Sequence, residues 1–200
     1  PLGEEERIAL RQKWSQGHPY FCYVGSIHPR KNVANLLRAF ERFKQRSGLP
    51  HRLLLAGRMG WQGGETERAY RENRFQEHIL LTGYQEDEEL ARILAGSEAL
   101  AYVSRFEGFG VPLLEAMHSE VPILTGKASS LPEVAGGAAL LVEPESVEDI
   151  AQGLHKLATR PDLRTQLVAA GREQRRHYSW ERAAAVAAQA LGLKDRPAAP

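Results

Sequence analysis

Two hundred residues with 26 Lys and Arg against 25 Asp and Glu, and with 42% apolar side chains, describe a near-neutral chain long enough to bury a sizeable core. The formal charge of +1, with no basic stripe interleaved with aromatics, gives no argument for nucleic acid. No run approaches the roughly 20 apolar residues of a membrane-spanning helix, and Cys22 stands alone, so no intrachain disulfide can form.

Residues 4–14 read as a short helix, acidic at its start and basic at its end, broken by Gln16-Gly17-His18-Pro19. Tyr20-Phe21-Cys22-Tyr23-Val24 is an aromatic and β-branched run closed by Gly25, the pattern of a buried strand. After a loop at 26–31, residues 32–46 place Val33, Leu36, Leu37, Phe40 and Phe43 at helical spacing. The unit then repeats. Strands are expected at 52–56, 79–82, 100–103, 121–125 and 139–142, with Gly57, Gly83 and Gly126 closing three of them. Between them come a loop rich in glycine (Gly60, Gly63, Gly64), a polar helix at 65–75, and a helix at 87–94 whose first turn is acidic. A helix ending near 119 and a short one at 131–134 complete the series. Helices at 147–158, 161–174 and 180–191 follow, the second closed by a basic cluster (Arg172, Arg175, Arg176, His177) and the third N-capped by Ser179. Residues 195–200 read as a frayed Pro/Ala-rich tail.

Short apolar strands alternating with helices imply a parallel sheet covered on both faces, because parallel neighbours need crossover connections. Such sheets bind ligands at the carboxyl ends of their strands. One domain is expected over residues 1–194, with 1–18 as a linker-like helix.

The stretch at 104–117 stands out. It leaves an apolar strand, passes Gly108-Phe109-Gly110, and enters a helix with Pro112 near its first position. Such a turn brings backbone N–H groups close to an anion. Glu107 lies before the helix at a strand end, where a carboxylate needs a donor such as a ligand hydroxyl. Glu115 sits among Leu113, Leu114, Ala116 and Met117, which makes a merely solvated role a weak reading. Lys31, at another strand end, can neutralise a diphosphate resting on that helix N-terminus, and Arg58 after Gly57 is a weaker candidate of the same kind. The His residues form no H-x-x-x-H and the aspartates no D-x-D, so no metal site is expected.

Glu107-Gly108-Phe109-Gly110-Val111-Pro112-Leu113-Leu114-Glu115-Ala116-Met117 resembles the E-x7-E motif of glycosyltransferase family 4, the group 1 glycosyltransferases. Three other stretches resemble the same family: Tyr23-Val24-Gly25-Ser26-Ile27-His28-Pro29-Arg30-Lys31-Asn32, Leu131-Pro132-Glu133-Val134-Ala135-Gly136-Gly137-Ala138-Ala139, and Tyr178-Ser179-Trp180-Glu181. The resemblance implies a B-type glycosyltransferase fold of two Rossmann-like domains. This chain would be the second of them, α/β with a doubly wound parallel sheet and C-terminal helices. Lys31 would hold the donor diphosphate, helped by the N–H groups of Gly110 and Val111. Glu107 would act at the reacting end by binding donor-sugar hydroxyls, Glu115 would bind the ribose, and the Gly83-Tyr84 loop would flank the base. Gly108, Phe109 and Leu113 would complete the donor site. Ser26 stands where many members carry a diphosphate-binding arginine, so Arg30 or Arg58 compensates or the donor is held more weakly.

The resemblance further implies a UDP- or GDP-sugar donor, a retaining reaction without metal or other cofactor, and a missing N-terminal acceptor domain. Without that domain the fragment is expected to bind donor but turn over slowly or not at all, and the alanine-rich helix at 183–190 is expected to pack on it. The setting implied is bacterial-type polysaccharide biosynthesis in the cytoplasm, peripheral to a membrane through the absent domain. A non-catalytic nucleotide-binding or interaction domain of the same fold is the alternative. A dehydrogenase would want G-x-G-x-x-G after the first strand, which Gly25-Ser26-Ile27-His28-Pro29 does not supply.

Overall fold

A computed structural model describes residues 2–58 and 64–192; Gly60, Gly63 and the tail at 195–200 lie outside the described residues. Its sheet joins β1 (Tyr20–Val24), β2 (Arg52–Ala56), β3 (Ile79–Gly83), β4 (Ala99–Tyr102), β5 (Ile123–Gly126) and β6 (Leu140–Val142). All neighbouring pairs are parallel, in the order β3-β2-β1-β4-β5-β6. The chain builds outward from β1 in one direction, returns, and builds outward from β4 in the other. Loops leaving β1 and β4 therefore diverge to opposite faces, and a crevice opens between them.

The helices are α1 (Glu4–Ser15), α2 (Val33–Ser47), α3 (Glu65–Arg71), α4 (Asp87–Gly96), α5 (Val111–His118), α6 (Leu131–Ala135), α7 (Val147–Thr159), α8 (Pro161–Gln174) and α9 (Trp180–Ala190). α2 packs against α3 and α7, while α4 packs against α1 and α5, and α5 against α8. The apolar stripe read from the sequence does the work on α2: Val33, Leu36, Leu37, Phe40 and Phe43 are all buried. Each such side chain contributes roughly 1.5–3 kcal/mol of burial free energy.

Several elements differ from their sequence reading, each for a local reason. α3 stops at Arg71 instead of running to 75. The buried Asn73 side chain donates to Leu37 O (2.9 Å) and accepts from Phe75 N (3.0 Å), a turn that competes with the helix. The segment expected to behave as a linker is docked: Leu10 is buried, and Lys13 Nζ and Trp14 Nε1 both donate to Glu89 on α4, at 2.6 and 3.0 Å. The basic cluster after α8 reaches back to α5, where Arg175 donates to the carbonyls of Met117 (3.1 Å) and His118 (3.3 Å). Those are orphan acceptors of a helix end. α9 starts at its Ser179 cap but buries none of its residues, and Trp180 is 89% exposed.

The ends of β1 and β2 approach so closely that Gly57 admits no substitute. It lies at φ +148°, its N–H donates to Gly83 O (2.9 Å), and an added Cβ would fall 2.0 Å from the Gly25 carbonyl oxygen. Gly57→Ala is expected to lower unfolding free energy by about 2 kcal/mol or more through strain and displacement of the β1 loop. Urea denaturation checks this, and an unchanged midpoint would contradict the close approach.

Candidate functional site

The crevice between β1 and β4 holds a cluster of charge. Glu107, 7% exposed, places Oε1 2.7 Å from Lys31 Nζ and Oε2 2.9 Å from Arg30 Nη1. The hydroxyl of Tyr102, at the end of β4, donates to the same Oε1 at 2.9 Å and accepts from Lys31 Nζ. Arg30 Nη1 also donates to Phe106 O (3.1 Å). Burial alone would raise the pKa of Glu107, but donation from Lys31, then Arg30 and Tyr102, outweighs it and holds the carboxyl below the ordinary glutamate range. Ser104 lies near this carboxylate with its hydroxyl outside hydrogen-bond geometry. Burial, reinforced by Glu107, raises the pKa of Tyr102, so its hydroxyl stays protonated and remains a donor.

Backbone ties fix the two loops against each other. Arg105 N donates to Arg30 O (2.8 Å), and the Arg105 guanidinium pairs with Glu145 at 2.6 Å. Asn32 takes a left-handed conformation at φ 60° to start α2, and its Nδ2 donates to Val103 O (3.0 Å) and Pro144 O (2.6 Å). On the other side, Ser129 Oγ accepts from Glu107 N (2.9 Å), and Ser130 Oγ donates to Glu107 O (3.0 Å) and Phe109 O (2.8 Å). Ser129 is itself strained, at φ 50°. Gly110, at φ +107°, opens α5, and Val111 at its first position is exposed.

The remaining expected residues divide. Glu115 falls on the outer face of α5, not in its buried stripe, because Leu113, Ala116 and Met117 take the core side. Its carboxylate has no hydrogen-bond or ion-pair partner among the described residues. Partial burial, then the Asp87 carboxylate, raises its pKa. Leu113 is fully buried and its N–H donates to Gly110 O (2.9 Å), so both side chain and amide are already engaged. Arg58 lies over the exposed Tyr84 ring, 5.1 Å from its centroid, at the ends of β2 and β3. Ser26 is exposed, and its carbonyl accepts from Tyr23 Oη (3.0 Å). Phe109 meets Tyr178 edge to face at 5.6 Å. Gly108 has open space where a Cβ would stand.

Tyr102, Asn32, Ser129 and Ser130 carry the site without having been singled out from the sequence. Among the described residues, no group of three or more His, Cys, Asp or Glu is arranged to hold a metal ion, and no helix is long and apolar enough to cross a membrane. A separate groove of about 450 Å³ is lined by Leu10, Lys13, Glu86, Glu88, Glu89 and Arg92. It shares none of the crevice residues, and its carboxylates outnumber its cations.

Residues 5–174 match the family described as Glycosyl transferases group 1. The chain belongs to that family. It is 32% identical over 184 residues to O-antigen chain mannosyltransferase B of Escherichia coli, a match covering 90% of this chain and 48% of that one. It is 29% identical over 200 residues to MMP alpha-(1->4)-mannosyltransferase of Mycolicibacterium hassiacum, covering 98% of this chain and 47% of the other. The chain thus spans about half the length of the curated relatives it matches. Its fold is shared with Anabaena Alr3699/HepE, solved in complex with UDP and glucose, at a TM-score of 0.81 and 18% identity over 96% of this chain and 53% of that one. A solved C-terminal domain of a group 1 family protein (LpcC) from Francisella tularensis gives a TM-score of 0.70 at 22% identity, covering 84% of this chain and 90% of that domain. The α/β sheet, parallel and flanked by helices, is therefore the Rossmann-like fold of glycosyltransferases.

The two glutamates respond to acid with opposite sign. Glu107, depressed, contributes stability above the ordinary glutamate value of 4.5 that is lost as pH falls through its lower folded value. Glu115, raised, opposes folding while charged and is relieved as pH falls through its folded value. Glu107→Gln is expected to cost about 1.5–3 kcal/mol at neutral pH, a deficit that shrinks in acid. Glu115→Gln is expected to raise the neutral unfolding midpoint. Urea titrations across pH check both, and a Glu107→Gln deficit that stays constant into acid would contradict the pairing.

Proposed function

We propose that this chain is the donor-binding domain of a glycosyltransferase that moves a hexosyl group from a nucleoside diphosphate sugar to an acceptor hydroxyl. The observation that carries the reading is the cluster at the sheet's reversal point, where Lys31 and Arg30 face Glu107 beside the glycine turn that opens α5. The diphosphate rests at the start of α5, on the N–H groups of Gly110 and Val111, with Lys31 as its cation. Arg30, 45% exposed, supplies the second positive charge that Ser26 cannot. Those donors stabilise the charge that grows on the diphosphate as its bond to the sugar breaks, so the reaction needs no divalent metal. Glu107 binds sugar hydroxyls beside that bond, and the configuration of the anomeric carbon is retained.

Glu115 accepts from the ribose hydroxyls. An outward-facing carboxylate without a protein donor suits that role. Tyr84, with Arg58 stacked on it, flanks the base. The curated relatives named above are mannosyltransferases, so mannose is the first sugar to try. The acceptor is held by a second domain, against which the uncovered α9 packs.

Calorimetric titration with UDP and GDP tests the reading. One of them is expected to bind the wild-type chain at millimolar concentration or below. Lys31→Ala and Glu115→Ala are each expected to lose on the order of ten- to hundredfold in affinity, the equivalent of one charge-assisted contact. Absence of binding, or mutants indistinguishable from wild type, would refute the site.

A further inference from the structure

We propose that Tyr102 is a positioning residue for the donor diphosphate, its hydroxyl holding the Lys31 ammonium and the Glu107 carboxylate in one fixed arrangement. The inference rests on the donor-site reading above and adds to it a residue two strands' worth of packing would not require. An ammonium has three N–H donors. Among the described residues, two of the acceptors around Lys31 Nζ are Tyr102 Oη and Glu107 Oε1, which direct the third N–H elsewhere. Tyr102 Oη accepts from Lys31 and donates its own proton to Glu107, so the polarity of the chain is set: ammonium to phenol to carboxylate.

The ring that carries this hydroxyl cannot drift. Tyr102 is fully buried, its ring stacks on Tyr23 from β1 at 6.0 Å and 18°, and its carbonyl accepts from Thr125 Oγ1 on β5 at 2.7 Å. Phenylalanine would fill the same volume and keep the stack. The ring face, its centroid 4.8 Å from Lys31 Nζ, would also be kept, so the substitution removes only the hydroxyl. Without it Lys31 has one fixed acceptor fewer, its ammonium can turn, and each diphosphate must order it on binding.

Tyr102→Phe is therefore expected to weaken UDP or GDP binding roughly three- to tenfold. Binding of the matching nucleoside, which carries no phosphate, is expected to change little. The loss should be non-additive with Lys31→Met, because both changes remove one interaction. Tyr20→Phe deletes another buried phenol hydroxyl of the sheet, one that donates to Ile93 O (2.6 Å) and touches neither charge, and is expected to keep wild-type nucleotide affinity. A reading that needs no variant is the Tyr102 hydroxyl proton in the wild-type chain, whose resonance is expected to shift on saturation with diphosphate and not with nucleoside.

If the wild type binds and Tyr102→Phe binds equally well, or the two losses simply add, or Tyr20→Phe matches the Tyr102→Phe loss, the positioning role is wrong while the donor site stands. An unmoved hydroxyl resonance in a saturated wild-type sample likewise overturns it. If the wild type binds neither nucleotide, the donor-site reading falls and this inference with it.

Discussion

A buried carboxylate shared between an ammonium and a phenol, at the point where the sheet reverses, sets the terms for the rest of this molecule. A charge held at 7% exposure is costly without partners, so Glu107 fixes where Lys31, Arg30 and Tyr102 must lie. Those three come from the β1 loop and the end of β4, and the requirement therefore binds the two diverging loops together. The glycine approach at Gly25 and Gly57, the Asn32 bridge to Val103 and Pro144, and the Ser129–Ser130 grip on the glycine turn all act to the same end. They hold a small polar assembly rigid at the strand ends.

The second glutamate shows the opposite economy. Glu107 accepts from Lys31, Arg30 and Tyr102 and stabilises the fold, whereas Glu115 is left without a donor among the described residues and within the field of Asp87. A group that destabilises the free domain and is relieved by a ligand's hydroxyls is the expected signature of a binding residue. The two glutamates thus occupy different electrostatic situations eight residues apart, one facing the crevice floor and one the outer side of α5.

Much of this was legible in the sequence, and the limits have physical causes. The strands announced themselves as short apolar runs, four of them closed by Gly25, Gly57, Gly83 and Gly126. α2 did so through its five-residue stripe. Glu107 and Lys31 could be picked out as strand-end charges, but their contact could not, since they meet only through the sheet order. Nothing in the sequence separates Tyr102 from the strand residues around it, because its hydroxyl partner Lys31 lies 71 positions away. Apolar sequence neighbours make a solvated role for Glu115 look weak, although a helix sends residues two apart to nearly opposite sides and Glu115 is exposed. The end of α3 was missed because Asn73 is decided by a carbonyl on α2, 36 positions distant.

The central claim is that the crevice between β1 and β4 receives a nucleoside diphosphate. A crystal structure of the chain with UDP or GDP, whichever binds, tests it most directly. The account predicts phosphate oxygens at the start of α5, within hydrogen-bond reach of Lys31 Nζ and the Val111 N–H, and ribose hydroxyls on Glu115. Nucleotide seated instead in the α1–α4 groove between Lys13 and Arg92, with the Lys31–Glu107 pair untouched, would contradict it.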